Sequence, residues 1–191
     1  MQLVFATNNL HKIKEVQIQL PETIKLLSLE EVGITEEIPE TSTTIEGNAL
    51  QKAQYVAQKW GYSCFADDTG LEVEGLAGAP GVHSARYAGE QKRDSDNIRK
   101  LLHNLSDSDH RQAQFKTVIA LVIGENQWLF EGICPGTITR EPAGNHGFGY
   151  DPIFKPTGWE ITFAQMSLQE KNQISHRGKA VQKLVQFLLQ L

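Results

Sequence analysis

Short apolar runs alternate along this chain with segments of helical period, and that alternation leaves few folds open. Leu3 to Ala6 is apolar and ends at Thr7-Asn8-Asn9, the pattern of a strand running into a helix cap. From His11 to Leu20, residues Ile13, Val16, Gln17 and Leu20 recur at helical spacing until Pro21 stops them. Lys25 to Leu29 reads as a second strand, and Thr35 to Thr44 as an acidic, hydroxyl-rich loop. A second helix starts near Thr44 and sets Ala49, Leu50, Ala53, Val56 and Ala57 on one face until Gly61. Ser63 to Ala66 is another short strand, ending at Asp67-Asp68. Glycines at 70, 75, 78, 81 and 89 mark a long, shaped loop region. Asp94 to Leu105 reads as a helix with Ile98, Leu101, Leu102 and Leu105 inward. Phe115 to Ile123 and Trp128 to Cys134 read as a hairpin, and Gly144 to Gly149 as a second glycine-rich loop. A last helix, from about His176 to Leu189, has Ala180, Val181, Leu184, Val185 and Leu188 on its apolar side. The pattern predicts an α/β fold whose sheet is mixed, because the hairpin adds antiparallel strands.

Composition narrows the function. At 191 residues the chain suits one large domain or two small lobes. Lys plus Arg number 18 against 23 for Asp plus Glu, so there is no basic excess of the kind that marks a nucleic-acid binder. No apolar run approaches the ~18 residues of a membrane span, and the N-terminus lacks the basic flank of a signal peptide. A cytoplasmic protein without a nucleic-acid or membrane partner is expected. Cys64 and Cys134 have no metal-type spacing and read as reduced, buried thiols. A P-loop, a first-turn G-x-G-x-x-G and a G-x-S-x-G nucleophile elbow are all absent.

Four segments could carry chemistry. Thr7-Asn8-Asn9-Leu10-His11-Lys12 joins a strand to a helix N-terminus, which suits a phosphate, with Lys12 adding a full charge; on local features alone, an ordinary cap with a surface lysine is the commoner reading. Asp67-Asp68 places two carboxylates together, and a divalent cation would relieve their repulsion; Asp-Thr-Gly also suits a simple turn. Among Glu36, Glu37 and Glu40, nothing local selects a further ligand. Gly147-Phe148-Gly149-Tyr150-Asp151 could present a ring for stacking on a base and a carboxylate for its edge, or could be a tight turn with Phe148 in the core. Ser175-His176-Arg177-Gly178-Lys179 clusters cations at a helix start, where the dipole disfavours them; a bound anion or plain solvation would each account for it.

Taken together, a phosphate cradle, a carboxylate site, a stacking ring and a base-edge reader are the parts of an enzyme that cleaves nucleoside triphosphates. In the order and spacing of these blocks the chain resembles the inosine triphosphate pyrophosphatase family along nearly its whole length. The resemblance runs from Phe5-Ala6-Thr7-Asn8-Asn9 through Lys12, and over Glu46 to Ala53. It continues from Ala66 to Val73, through Gly78-Ala79-Pro80-Gly81-Val82 and Ser84 to Gly89, then Gly147 to Phe154 and Ser175 to Ala180. It implies one nucleoside triphosphate pyrophosphatase domain over residues 1–191, elongated, with a central mixed sheet flanked by helices and an active-site cleft between two lobes. It also implies a homodimer that uses Mg2+ to hydrolyse ITP, dITP and XTP to the monophosphate and pyrophosphate.

Position by position, the resemblance gives Thr7, Asn8, Asn9, Leu10, His11 and Lys12 to the triphosphate, and Lys52 as a second phosphate contact. Asp68 matches the residue that binds magnesium and activates water, and Glu40 the other metal ligand. Thr69 matches a substrate contact. Phe148, Gly149, Tyr150 and Asp151 match the base-binding turn, and Lys171, His176 and Arg177 the remaining nucleotide contacts. Donors from His176 and Arg177 aimed at a 6-oxo group would be left unpaired by an adenine amino group. Two positions depart from the family pattern: Thr69 stands where serine is usual, and Gly47 where many members carry a second acid. A pyrophosphatase acting on modified pyrimidines, like the related Maf-type proteins, and a non-catalytic nucleotide sensor are the competing readings.

Overall fold

The computed structural model describes residues Met1–Leu191. In chain order the elements are β1 (Gln2–Phe5), α1 (Leu10–Gln17), β2 (Lys25–Ser28), α2 (Ile45–Trp60), β3 (Cys64–Val73) and β4 (Pro80–Gly81). Then follow α3 (Asp94–Asn104), β5 (Gln112–Ile123), β6 (Asn126–Ile138), β7 (Phe154–Pro156), α4 (Leu168–Ile174) and α5 (His176–Leu188). The strands form one seven-stranded sheet in the order β2-β1-β3-β5-β6-β7, with β4 paired to β3. β1 runs parallel to both β2 and β3, whereas β3–β4 and β6–β7 are antiparallel. The sheet is therefore mixed, as the alternation of elements predicts. No helix is long and apolar enough to cross a membrane.

The chain divides into two compact units. The first comprises Met1–Asp68, Thr117–Gly132 and Arg177–Leu191; the second comprises Thr69–Lys116 and Ile133–His176. In the first unit, strand alternation sorts side chains onto two faces. Val4, Ala6, Cys64 and Ala66 pack with Ala49, Ala53 and Val56 of α2. Leu3, Phe5 and Phe65 pack with Val16 of α1 and with Ala180, Val181 and Leu184 of α5. Phe5 and Phe65 stack with ring centroids 4.5 Å apart. The core of the second unit gathers Leu71, Val73, Leu101, Phe115, Phe154 and Phe163.

Helix boundaries follow capping chemistry. Thr44 is the N-cap of α2, accepting from Gly47 N–H, and Gly61 closes it with the left-handed backbone that glycine tolerates. Helix α1 ends at Gln17, short of the expected Leu20: Pro21 has no N–H to offer the Gln17 carbonyl and pushes Leu20 out of the helical region. Three expectations are corrected. β3 does not stop at Asp67-Asp68 but continues to Val73, since Leu71 and Glu72 pair with Gly81 and Pro80 of β4. The hairpin strands β5 and β6 extend well beyond the apolar cores that mark them in sequence. Helix α4 is an addition to the expected elements, although Ser167 and Glu170 form the reciprocal capping box that starts it.

Candidate active site

Adjacent residues of a strand point to opposite faces, and this decides what becomes of the two neighbouring aspartates. Asp67 follows Phe65 onto the α1/α5 face. Its side chain is fully buried, with Lys12 Nζ 2.8 Å from one carboxylate oxygen and Arg177 Nε 2.9 Å from the other. Arg177 also donates through Nη1 to Glu15, a buried carboxylate on α1. Asp68 follows Ala66 onto the α2 face. There Asn48 Nδ2 donates to its Oδ2 at 3.3 Å, and Lys52 Nζ lies 3.9 Å from its Oδ1. Lys52 donates as well to Glu40 and, at 2.8 Å, to the backbone carbonyl of Asp67. One network in the first unit thus joins Lys12, Glu15, Glu40, Asn48, Lys52, Asp67, Asp68 and Arg177.

The charges respond to this arrangement. Burial alone would raise the Asp67 pKa, but Lys12, Arg177 and Lys52 outweigh it and hold the carboxyl well below its usual range. Burial pushes Asp68 the other way, up, and Glu40 and Asp67 add to this against Lys52 and Lys12. Burial lowers Lys12, with Lys52 and Arg177 adding to the effect against Asp67. Lys52 is raised: burial opposes the charged form, but Asp68, Glu40 and Asp67 prevail. The repulsion expected between Asp67 and Asp68 is thus met on the Asp67 side by the protein's own cations, while Asp68 and Glu40 lie together beside Lys52.

The helix start expected to cradle phosphate is well capped. Asn9 Oδ1 accepts from His11 N–H and Lys12 N–H at 3.0 and 3.2 Å, and Thr7 Oγ1 accepts from Asn9 N–H. Asn8, Leu10 and His11 are exposed. The acidic loop also resolves: Glu36 pairs with Tyr55 and Lys59, Glu37 is exposed, and Glu40 alone of the three joins Lys52 beside Asp68. Gly47 is explained locally. A side chain there would overlap Ser42 Oγ and approach Thr44 Oγ1 to 2.8 Å, so this loop geometry favours glycine at the position where the resemblance leads one to expect a second acid.

In the second unit the glycine-rich turn is tied to α4. Asp151 Oδ2 accepts from Phe148 N–H at 2.9 Å and from Lys171 Nζ at 2.6 Å, and both charged side chains are buried. Lys171 Nζ sits 5.0 Å from the Phe148 ring centroid and 5.5 Å from that of Phe163. Gly147 has φ 72°, and a Cβ there would strike the Asp151 carboxylate, so glycine is required for this turn. Gly149 N–H donates to Asp94, and Tyr150 Oη to the Ser84 carbonyl at 2.8 Å. Phe148 is half-buried rather than sunk in the core. His176, the first residue of α5, is buried with its ring stacked on Phe115 at 4.4 Å. Thr69 is half-buried on β3.

Two participants are not singled out by the sequence. Glu15 carries a faint signal, standing three residues after Lys12 on one helix face and just before the core residue Val16. Asn48 lies within a block of family resemblance, but nothing local assigns it a role.

The profile of the Ham1 family matches residues 3–187. A dITP/XTP pyrophosphatase of Flavobacterium psychrophilum is 63% identical over 187 residues, covering 98% of each chain. One of Bacillus subtilis is 45% identical over 191 residues, covering 98% of this chain and 96% of the relative. Among solved structures, a HAM1 protein from Coxiella burnetii superposes with a TM-score of 0.92 at 39% identity, each chain covered in full. The Staphylococcus aureus Ham1 protein gives 0.89 at 40% identity, covering 98% of each chain.

Proposed function

Because the chain belongs to the Ham1 family, we propose that it is a magnesium-dependent pyrophosphatase of non-standard purine nucleoside triphosphates, ITP, dITP and XTP. It cleaves between the α and β phosphates and so cleanses the nucleotide pool. The observation that carries this reading is the charge arrangement of the first unit, where Glu40 and Asp68 converge on a single ammonium, Lys52. The names of the relatives, dITP/XTP pyrophosphatase, point to the substrates.

The residues present fit magnesium. The network holds four carboxylates, Glu15, Glu40, Asp67 and Asp68, against three cations, Lys12, Lys52 and Arg177. Asp67 and Glu15 are engaged by Lys12 and Arg177, whereas Glu40 and Asp68 lie together beside Lys52. These are hard oxygen donors, and magnesium typically takes only one or two carboxylates beside substrate phosphates and water. Glu40 and Asp68 would hold the ion, which supplies neutralisation of charge on the phosphoryl oxygens and on departing pyrophosphate.

The chain's own residues do the rest. Asp68, with its basicity raised by burial, orients the attacking water and accepts its proton. Lys12 and Lys52 offset charge that develops on the phosphates. Thr7 to Lys12 bind the triphosphate and Thr69 contacts the substrate, as the family resemblance implies. Base recognition falls to Phe148, Gly149, Tyr150, Asp151, Lys171, His176 and Arg177. Phe148 supplies a ring face, and His176 and Arg177 face the 6-oxo group that adenine lacks, as the family resemblance implies. The working unit is a homodimer in the cytoplasm, a location with which the buried thiols of Cys64 and Cys134 agree.

Product analysis tests the reaction. With ITP and magnesium, IMP and pyrophosphate should appear in equal amounts. Release should stop in EDTA and return when magnesium is restored in excess. IDP with orthophosphate would overturn the cleavage position, and an undiminished rate in EDTA the metal dependence.

A further inference from the structure

We propose that Asn48 is a positioning residue for hydrolysis: it sets the orientation of Asp68 and ties it to the loop that carries Glu40. The inference rests on the reading of Asp68 as the water-activating carboxylate. Asn48 is 2% exposed, one turn before Lys52 on α2, so the two side chains share a helix face. Each reaches the same two places. Lys52 meets Glu40 and Asp68 Oδ1; Asn48 accepts from Ser42 N–H at 2.9 Å and donates to Asp68 Oδ2. Each oxygen of Asp68 therefore faces its own α2 side chain. Gln51 adds a further tie to the same loop, accepting from Thr41 N–H and donating to Thr41 Oγ1.

Chemistry fixes both the orientation and the identity of the residue. A backbone N–H can only donate, so the Asn48 carbonyl oxygen must face Ser42. That leaves the amide nitrogen facing Asp68, and an ionised carboxylate can only accept. A side chain of this size that accepts at one end and donates at the other is asparagine. Aspartate loses the donor when ionised, and leucine offers neither function. A carboxylate that must aim one oxygen at a water gains from having its rotation set by such a buried, bonded neighbour.

Two variants separate positioning from mere support. Asn48→Asp keeps the acceptor for Ser42 N–H and nearly the same shape but sets a second carboxylate against Asp68 in place of the donor. Asn48→Ala loses both ends and adds no charge. Steady-state kinetics with ITP and thermal unfolding without nucleotide are measured on each, beside Asp68→Asn. Both Asn48 variants should lose kcat by about 10- to 100-fold, with KM within about 3-fold of the parent, the pattern of a lost transition-state contribution. Both should melt several degrees lower, Asn48→Ala because it releases the loop and Asn48→Asp because it buries a second carboxylate beside Asp68, so kcat is read at a temperature where each variant is folded. Parent-like kcat in either variant, measured where it is folded, overturns the proposal. If Asp68→Asn is inactive while Asn48→Asp is normal, only the positioning role fails. If Asp68→Asn itself keeps the parent kcat, the reading of Asp68 fails and this role with it.

Discussion

Replacing Asp68 with Asn should lower kcat for pyrophosphate release by a factor on the order of 10²–10⁴, the range for loss of a positioned general base, while the melting temperature holds or rises slightly. The two halves of this expectation share one cause. Asp68 sits where burial and the carboxylates of Glu40 and Asp67 disfavour its charge, and Lys52 and Lys12 compensate only in part. Its folded pKa is therefore raised above the unfolded value. Between those two values the native state binds more protons than the unfolded chain, so stability falls as pH rises through that window, and the ionised side chain is a net cost at neutral pH. Asparagine keeps the shape and removes the charge. The gain is small because Lys52 keeps Glu40 and the Asp67 carbonyl but loses its third partner. A function-bearing group that weakens the fold is what a strained active site predicts. Kinetics with ITP and thermal melts at pH 7 check both halves; an active Asp68→Asn variant, or one that melts many degrees lower, would contradict the account.

The largest stability effect is expected at Arg177. Its guanidinium is 1% exposed and joins Asp67 to Glu15, both of them buried. Arg177→Met fills similar volume but leaves those two carboxylates with less compensation, and removing one partner of a buried ion pair costs about 3–5 kcal/mol. The pH dependence has a definite sign. The Asp67 pKa is held below its unfolded value, so its contribution is present at neutral pH and fades as pH falls through the acid range toward the folded pKa. Without Arg177 that pKa rises, and protonation relieves the variant sooner. Urea unfolding should therefore show the widest gap from the parent near pH 7 and a narrower one near pH 4.5. A deficit below about 1 kcal/mol at pH 7 would place Arg177 among surface-type pairs and contradict this network. Its proposed contact with the base would then be read from kcat/KM ratios at a temperature where the variant is folded.

Local chemistry makes much of this legible in sequence. Thr44 and Gly61 bound α2 because cap preferences are local, and the apolar stripe of α5 is set by its own period. The course of β3 is not legible. Asp67-Asp68-Thr69-Gly70 has turn chemistry, and only pairing with β4 and the burial of Leu71 and Val73 carry the strand onward. The separate fates of Asp67 and Asp68 depend on that correction, since a strand, unlike a turn, sends them to opposite faces. The partnership of Glu15 with Arg177 spans 162 positions, and no periodicity encodes it. Of the three loop acids, Glu36 meets Tyr55 and Lys59 further along α2, and it is the shared Lys52 beside Asp68 that distinguishes Glu40.

Substrate choice tests the proposed function most directly. The measurement is kcat/KM for ITP, XTP and dITP beside ATP, GTP and a modified pyrimidine triphosphate, all with magnesium. The 6-oxo, non-standard purines should exceed ATP by a factor on the order of 10³ or more, as for sites that leave buried donors unpaired with the wrong substrate. Equal values across the panel, fastest turnover of the modified pyrimidine, or tight binding of ITP without pyrophosphate release would contradict it.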